Sequence, residues 1–207
     1  MSNHLVSLVN SANPRAFHNA VRKRLENDQP LSMEAATFSE LTLTGFDFSD
    51  IDLTHAAFEN CTLSECRFID SCLEGAFFDG ATLLHCHFKG GNLEGWALDA
   101  STLGSCRFEN ISLDDGEWTD SRLNDSTFES VTSSAWWMER VTFKGGRWQD
   151  VSIDGGAWSH VTLRELTASD IDLEGVDITH CYHVQATLRG GEWPKGFIEK
   201  SGRRKTL

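Results

Sequence analysis

The chain is poor in proline, with 3 residues in 207, and that scarcity argues against a disordered polypeptide. It is also poor in basic residues: residues 34–131 hold 4 Lys and Arg against 19 Asp and Glu. A net charge of −13 excludes general binding to nucleic acid or to an anionic membrane, because phosphate contacts need a basic surface. No apolar run is long enough to cross a bilayer. The N-terminal "MSNHLVSLVNSANPRAF" has no charged segment ahead of a long apolar stretch, so it does not read as a signal peptide. The expected compartment is therefore the cytoplasm, where thiols stay reduced. A glycine-rich phosphate loop after a strand is lacking, and so is a constellation of catalytic groups. The expectation is a protein that is not an enzyme and carries no cofactor.

What is present is a repeat. Residues 61–120 read "CTLSECRFIDSCLEGAFFDG", "ATLLHCHFKGGNLEGWALDA" and "STLGSCRFENISLDDGEWTD". Leu63, Leu83 and Leu103 align, as do Phe68, Phe88 and Phe108, at a period of twenty. Within each block an apolar residue recurs every five, and this phase holds from Phe38 to Trp193, weakening only at Ser133, Ala168 and His183. A second inward set lies two residues earlier, as at Ile51, Ala56, Cys61, Cys66, Ala76 and Val151. Five does not match the 3.6-residue helical turn, and plain alternation would bury every second residue. A coil that turns a corner every five residues fits, four pentads to a turn, each coil stacked on its neighbours.

The pattern resembles the pentapeptide-repeat family, whose consensus is a small residue, a polar residue, Leu or Phe, and two polar residues. "ATFSE", "AAFEN", "GNLEG" and "IDLEG" carry the resemblance, which covers residues 36–195 as eight coils. It implies an all-β solenoid, a right-handed quadrilateral β-helix, and a family with no common enzyme activity. Residues 1–33 read as an N-terminal helical cap, 34–195 as the β-helix and 196–207 as a short basic tail. In the cap, Asn13 precedes Pro14 as a helix start, and Ala16, Phe17, Ala20, Val21 and Leu25 form one apolar stripe. Such a helix covers the open end of the solenoid, where unpaired edges invite association.

The bore should be filled. On the first face, Trp96 and Trp136 at the small position accompany Leu98 and Met138 at the large one, whereas Gly116 and Gly156 accompany Trp118 and Trp158. Large and small residues alternate as interdigitation requires. Cys66, Cys86 and Cys106 form an inward column about 4.8 Å apart and read as reduced core thiols. His85 and His87 flank Cys86 and face outward, so "HCH" is not a converging metal site. His160 and His180, one coil apart, read as solvated surface.

Function then lies on the outside. One outward column of the fourth face contains Glu74, Glu94 and Asp114, and the next edge carries Asp79 and Asp99. The third face has Arg67, His87, Arg107 and Arg147 in one column, a mildly basic side. Ordered carboxylates serve solubility. They also present a duplex-like field, and the resemblance implies a partner such as a type II topoisomerase, because some family members bind these enzymes as DNA mimics and protect gyrase. The competing reading is a scaffold or adaptor, associated with secretion or immunity, that binds proteins through Phe77 and Trp137. These aromatics stand outward on the first face and suggest a protein contact or a homodimer interface. A threonine column, Thr42, Thr62, Thr82, Thr102, Thr142 and Thr162, is interrupted by Arg122 and makes a single row of the kind that organises water or ice.

Overall fold

The structure, a computed structural model, describes residues 4–190 and 192–200. Two helices open the chain, α1 (His4–Asn10) and α2 (Pro14–Glu26), followed by short strands in three parallel sheets of eight, nine and seven strands. Every pairing joins residues twenty apart until the last: Phe38 lies beside Phe58, Leu43 beside Leu63, Phe68 beside Phe88. The twenty-residue period is thus one turn of a β-solenoid.

The corners explain the five-residue phase. From Ala35 to Gly190 every fifth residue except Ala135 turns the chain with positive φ, as at Asp50 (61°), His55 (55°), Asn60 (52°), His85 (54°) and His160 (57°). Asn, Asp and His tolerate this left-handed region better than most L-residues, which is why they recur there. His85 is such a corner; Cys86 points inward and His87 outward. Among the described residues no group of three or more His, Cys, Asp or Glu side chains is placed to hold a metal ion.

The fourth face departs from an even square. Through residue 92 it is joined only by single parallel bridges, Ser32 to Asp52, Asp52 to Cys72 and Cys72 to Asn92. From Arg107 onward the third-sheet strands run around the corner into it, as in Arg107–Ser112 and Thr127–Ser133. The later coils stack β-branched Ile111, Val131, Val151 and Ile171 in register at this point, side chains that favour extended backbone.

Inside, the tryptophans interlock. Trp96, Trp118, Trp136, Trp148 and Trp158 are fully buried. Trp96 meets Trp118 edge-to-face at 5.5 Å, Trp118 meets Trp136 at 4.7 Å and Trp136 meets Trp158 at 5.9 Å. The alternation of Trp and Gly between coils lets one indole occupy the space another has left. Phe68, Phe88 and Phe108 stack face to face at 4.7 and 5.0 Å.

The cysteines have a structural task that their positions alone did not reveal. The thiols of Cys61, Cys66, Cys86, Cys106 and Cys181 each donate to the carbonyl of the residue 23 before: Phe38, Leu43, Leu63, Leu83 and Trp158. Ser71 and Ser101 do the same with hydroxyls, to Phe48 and Phe78. A small inward donor thus ties one coil to the previous one. All six cysteines are free, and Cys72 alone is not buried. The Cys86 thiol is pushed well above its usual range by its hydrogen bonds to Cys106 and Cys66 and by burial.

The helices close the N-terminal end. Phe17 packs on Phe46 and Phe48, 5.4 Å from each, and the Asp47 N–H donates to His18 Nε2 at 2.8 Å. The apolar stripe of the sequence points to α2 alone; α1 adds Leu5 and Val9 to the core, and Leu25 of that stripe is 58% exposed, near the end of α2 at Glu26. Asn13 Oδ1 accepts from the Ala16 N–H at 3.0 Å. Asn13→Ala is expected to cost about 1 kcal/mol, read as a lower urea midpoint at unchanged slope.

At the other end the core thins. Ile178, His183, Leu188 and Trp193 occupy inward positions but are only part-buried. Phe197–Glu199, inside the stretch read as a basic tail, adds a last strand to the second sheet, pairing Phe197 with Cys181 at an offset of sixteen. The remainder of that tail, 201–207, lies outside the described residues.

Candidate protein-binding faces

A three-residue strand presents its first and third side chains outward, so each sheet carries two outward columns. On the first sheet the leading column is Ala57, Phe77, Ala97, Glu117, Trp137 and Ala157; the trailing column is Glu59, Asp79, Asp99, Thr119, Glu139 and Ser159. Phe77 and Asp79 therefore stand two residues apart on one strand, as do Trp137 and Glu139. Two of the acidic candidates, Asp79 and Asp99, therefore share a face with the aromatics, while Glu74, Glu94 and Asp114 lie on the adjacent fourth face.

Glu59, Asp79 and Asp99 are directly opposite one another in register, an arrangement of like charges that destabilises a sheet locally. None of the three has an ion-pair partner among the described residues. The Thr119 hydroxyl donates to Asp99 at 2.5 Å and ends the run. Around the Gly75 and Gly95 corners, Glu74, Glu94 and Asp114 form the parallel column of the fourth face, also without ion pairs among the described residues. Asn92 donates to Glu74 at 3.0 Å, and the Ser134 N–H donates to Asp114 at 2.5 Å. Burial raises the Asp114 carboxyl, but hydrogen bonds from the Ser134 amide and the Ser112 and Ser134 hydroxyls outweigh it and hold the group below its ordinary value.

The aromatics differ. Trp137 is 52% exposed, as expected. Phe77 is half-buried, a correction to its reading as a free-standing aromatic; its neighbours in register are Ala57 and Ala97. Two shallow hollows flank Glu117. One, of about 200 Å³, is lined by Trp137, Met138, Ala157, Ser159, Glu139, Glu117 and Thr119. The other runs from Glu117 and Thr119 past Ala97 and Asp99 to Phe77. Glu117 was not singled out as a site residue. The period of twenty held the signal, since it sets Glu117 beside Trp137.

The third face is not a free basic surface. Arg67 faces Asp47 at 3.9 Å, His87 lies 2.9 Å from Glu109, and Arg107 contacts both Glu109 and Glu129. Acids thus pair with three members of the column that the sequence marked as basic, whereas Arg147 meets the neutral amide of Gln149. On the second face Thr102, Arg122 and Thr142 stand in register, so the threonine row is broken as read. His160 and His180 stack at 5.0 Å on an exposed corner.

The sequence matches the family descriptions "Pentapeptide repeats (8 copies)" over residues 32–68 and "Pentapeptide repeat region" over residues 62–135, together half of the chain. No curated protein matches it. Among solved structures, a trypsin-treated variant of QnrB1, described as a plasmid-mediated fluoroquinolone resistance protein, is 19% identical with a TM-score of 0.54, covering 82% of this chain and 86% of its own. Full-length QnrB1 is 17% identical at a TM-score of 0.48, covering 83% and 92%. HetL, from the cyanobacterium Nostoc and described as involved in heterocyst differentiation regulation, is 11% identical at 0.25, covering 84% and 98%. At 19% identity the likeness to the trypsin-treated QnrB1 variant is one of fold.

Proposed function

Because the chain belongs to the pentapeptide-repeat family, whose filled coils leave the outer faces as the place for recognition, we propose that it is a non-enzymatic protein-binding module whose acidic side engages a basic partner. One observation carries this reading. Glu74, Glu94 and Asp114 on the fourth face run beside Glu59, Asp79 and Asp99 on the first, and no cation pairs with any of them among the described residues. Coils stack about 4.8 Å apart, so two such columns give one carboxylate per roughly 2.4 Å of rod. Duplex DNA carries one charge per about 1.7 Å. A saddle of lysines and arginines built for DNA therefore meets a comparable field on a comparably stiff rod.

The partner proposed is a type II topoisomerase such as gyrase, occupied at its DNA-binding surface. The fold similarity to a protein described as conferring fluoroquinolone resistance supports testing this enzyme first. The test is gyrase supercoiling with and without a quinolone, using the wild type and a Glu74→Gln, Glu94→Gln, Asp114→Asn variant. Inhibition or protection by the wild type is expected, weakened at least tenfold in the variant and weakened by raising salt, because screening shortens the reach of exposed charges to about 8 Å at physiological strength. Absence of any effect of the wild type would reject the topoisomerase. The second reading, an adaptor that binds through its aromatic face, is favoured by the exposure of Trp137. It predicts that Trp137→Ala abolishes partner binding while the triple carboxylate variant retains it.

A further inference from the structure

The hollow beside Trp137 has features that the acidic columns alone do not explain. Most carboxylates on this rod stand among other polar groups, but Glu117 is set between two aromatics, opposite Trp137 in register and one coil beyond Ala97 from Phe77. Its carboxylate has no ion-pair partner among the described residues. The other acid of the hollow, Glu139, is already engaged by Arg140, whose Nε and Nη2 are held by Asp120 at 2.6 and 2.7 Å. The site thus offers one free anion, one indole face and a short apolar floor from Ala157 and Met138.

That combination selects for an arginine. Its guanidinium is planar, weakly hydrated for a cation and able to stack on an aromatic face while its edge pairs with a carboxylate. Lysine presents a compact, strongly hydrated charge that gains less from an indole and a dry floor. We infer that the Glu117–Trp137 hollow receives an arginine side chain of an extended basic segment of the partner, guanidinium flat against the Trp137 indole and paired with Glu117. The inference rests on the reading that a basic partner engages this side of the rod. The second hollow sets the length of the segment. Phe77 and Trp137 lie three coils apart, about 14 Å, which an extended chain spans in about four residues. A segment laid along the rod axis therefore brings a second residue onto Phe77 and Asp99, the end of the unpaired acidic run. The carboxylates of Glu59, Asp79 and Asp99 beside this path complement its remaining charges.

The test uses hexa-arginine, hexalysine and hexaglutamate as probes for the full-length protein, with titration calorimetry and NMR of the tryptophan indole N–H groups. Five of the seven indoles are fully buried, so the Trp137 resonance is assignable by its loss in Trp137→Ala. Hexa-arginine should shift that resonance and bind at least tenfold more tightly than hexalysine, and hexaglutamate should not bind. Trp137→Ala and Glu117→Gln should each weaken hexa-arginine binding about tenfold, while Glu74→Gln, Glu94→Gln, Asp114→Asn weakens it less than threefold. Equal binding of hexalysine, or indifference to both single substitutions, would overturn the inference and leave only the diffuse field of the rod. A dimer that dissociates on Trp137→Ala would overturn it too, assigning the face to a second copy. If hexa-arginine behaves as stated and gyrase does not respond, the hollow stands and the topoisomerase falls; the reverse result separates them the other way.

Discussion

Trp118→Ala is expected to lower stability by about 3–5 kcal/mol, the range for deleting a large buried aromatic. Trp118 is fully buried and sits edge-on to Trp96 and Trp136, with Phe108, Phe128 and Phe143 between 6.1 and 6.4 Å away. The space it leaves cannot close easily. The coils on either side are fixed by parallel ladders to further coils, and Gly116 in the same layer has no side chain to swing inward. One term acts in the opposite direction. The Trp118 indole N–H has no hydrogen-bond partner among the described residues, so its removal relieves a buried unsatisfied donor and loses no bond. Urea denaturation followed by circular dichroism measures the net effect; a loss under 1 kcal/mol would mean that the bore is not packed around this ring. Trp137→Ala, one coil away and outward, should change stability by less than about 0.5 kcal/mol.

The second large effect is expected at a residue with no side chain. Gly91 holds the small position of its pentad after the Gly90 corner, at φ +73°; it is exposed, yet a Cβ built there would fall 2.1 Å from the Ser71 carbonyl oxygen. That contact is with backbone of the adjacent coil, which is held by its own pairings and cannot rotate aside. Gly91→Ala therefore combines a left-handed alanine with a wedge between coils, and about 2–6 kcal/mol of destabilisation is expected. Gly45 provides the control. Its φ is +67°, but nothing lies within 4 Å of the added atom, so Gly45→Ala should cost only the conformational part, about 1 kcal/mol. Thermal melts of the two variants separate the terms; equal losses would show that strain alone decides, and that the coils can part to admit a methyl group.

The solenoid was legible because its repeat is exact in phase. Each inward residue from Phe38 to Trp158 could be placed by counting fives, and the exchange of Trp for Gly between coils already implied the interlocked indoles. The helix α1 was not legible: Leu5 and Val9 alone make too short an apolar pattern, and their burial comes from the end of the solenoid. The partial sheet of the fourth face was equally hidden, since it depends on β-branched residues aligning across four coils. At the surface, counting gave the columns but not their pairing. It could not show that Arg107 spends its charge on Glu109 and Glu129, nor that Phe77 is half-buried while Trp137 stands clear. Orientation of outward side chains is set by neighbours one coil away, at a range where a column of letters carries no conformational information.

The two ends of the rod are unlike. At one end α2 seats Phe17 on the first coil and His18 receives its backbone N–H; at the other, among the described residues, the inward row of Ile178, His183, Leu188 and Trp193 is only part-buried. In a stack where each turn leans only on the next, this difference makes unravelling directional. Turns should peel from the C-terminal end one after another, while the acidic and aromatic surface between residues 57 and 139 stays intact behind them. The last turns then act as a fuse: they absorb thermal or mechanical insult first, and the recognition surface is lost only when the unwinding reaches the tryptophan-filled middle.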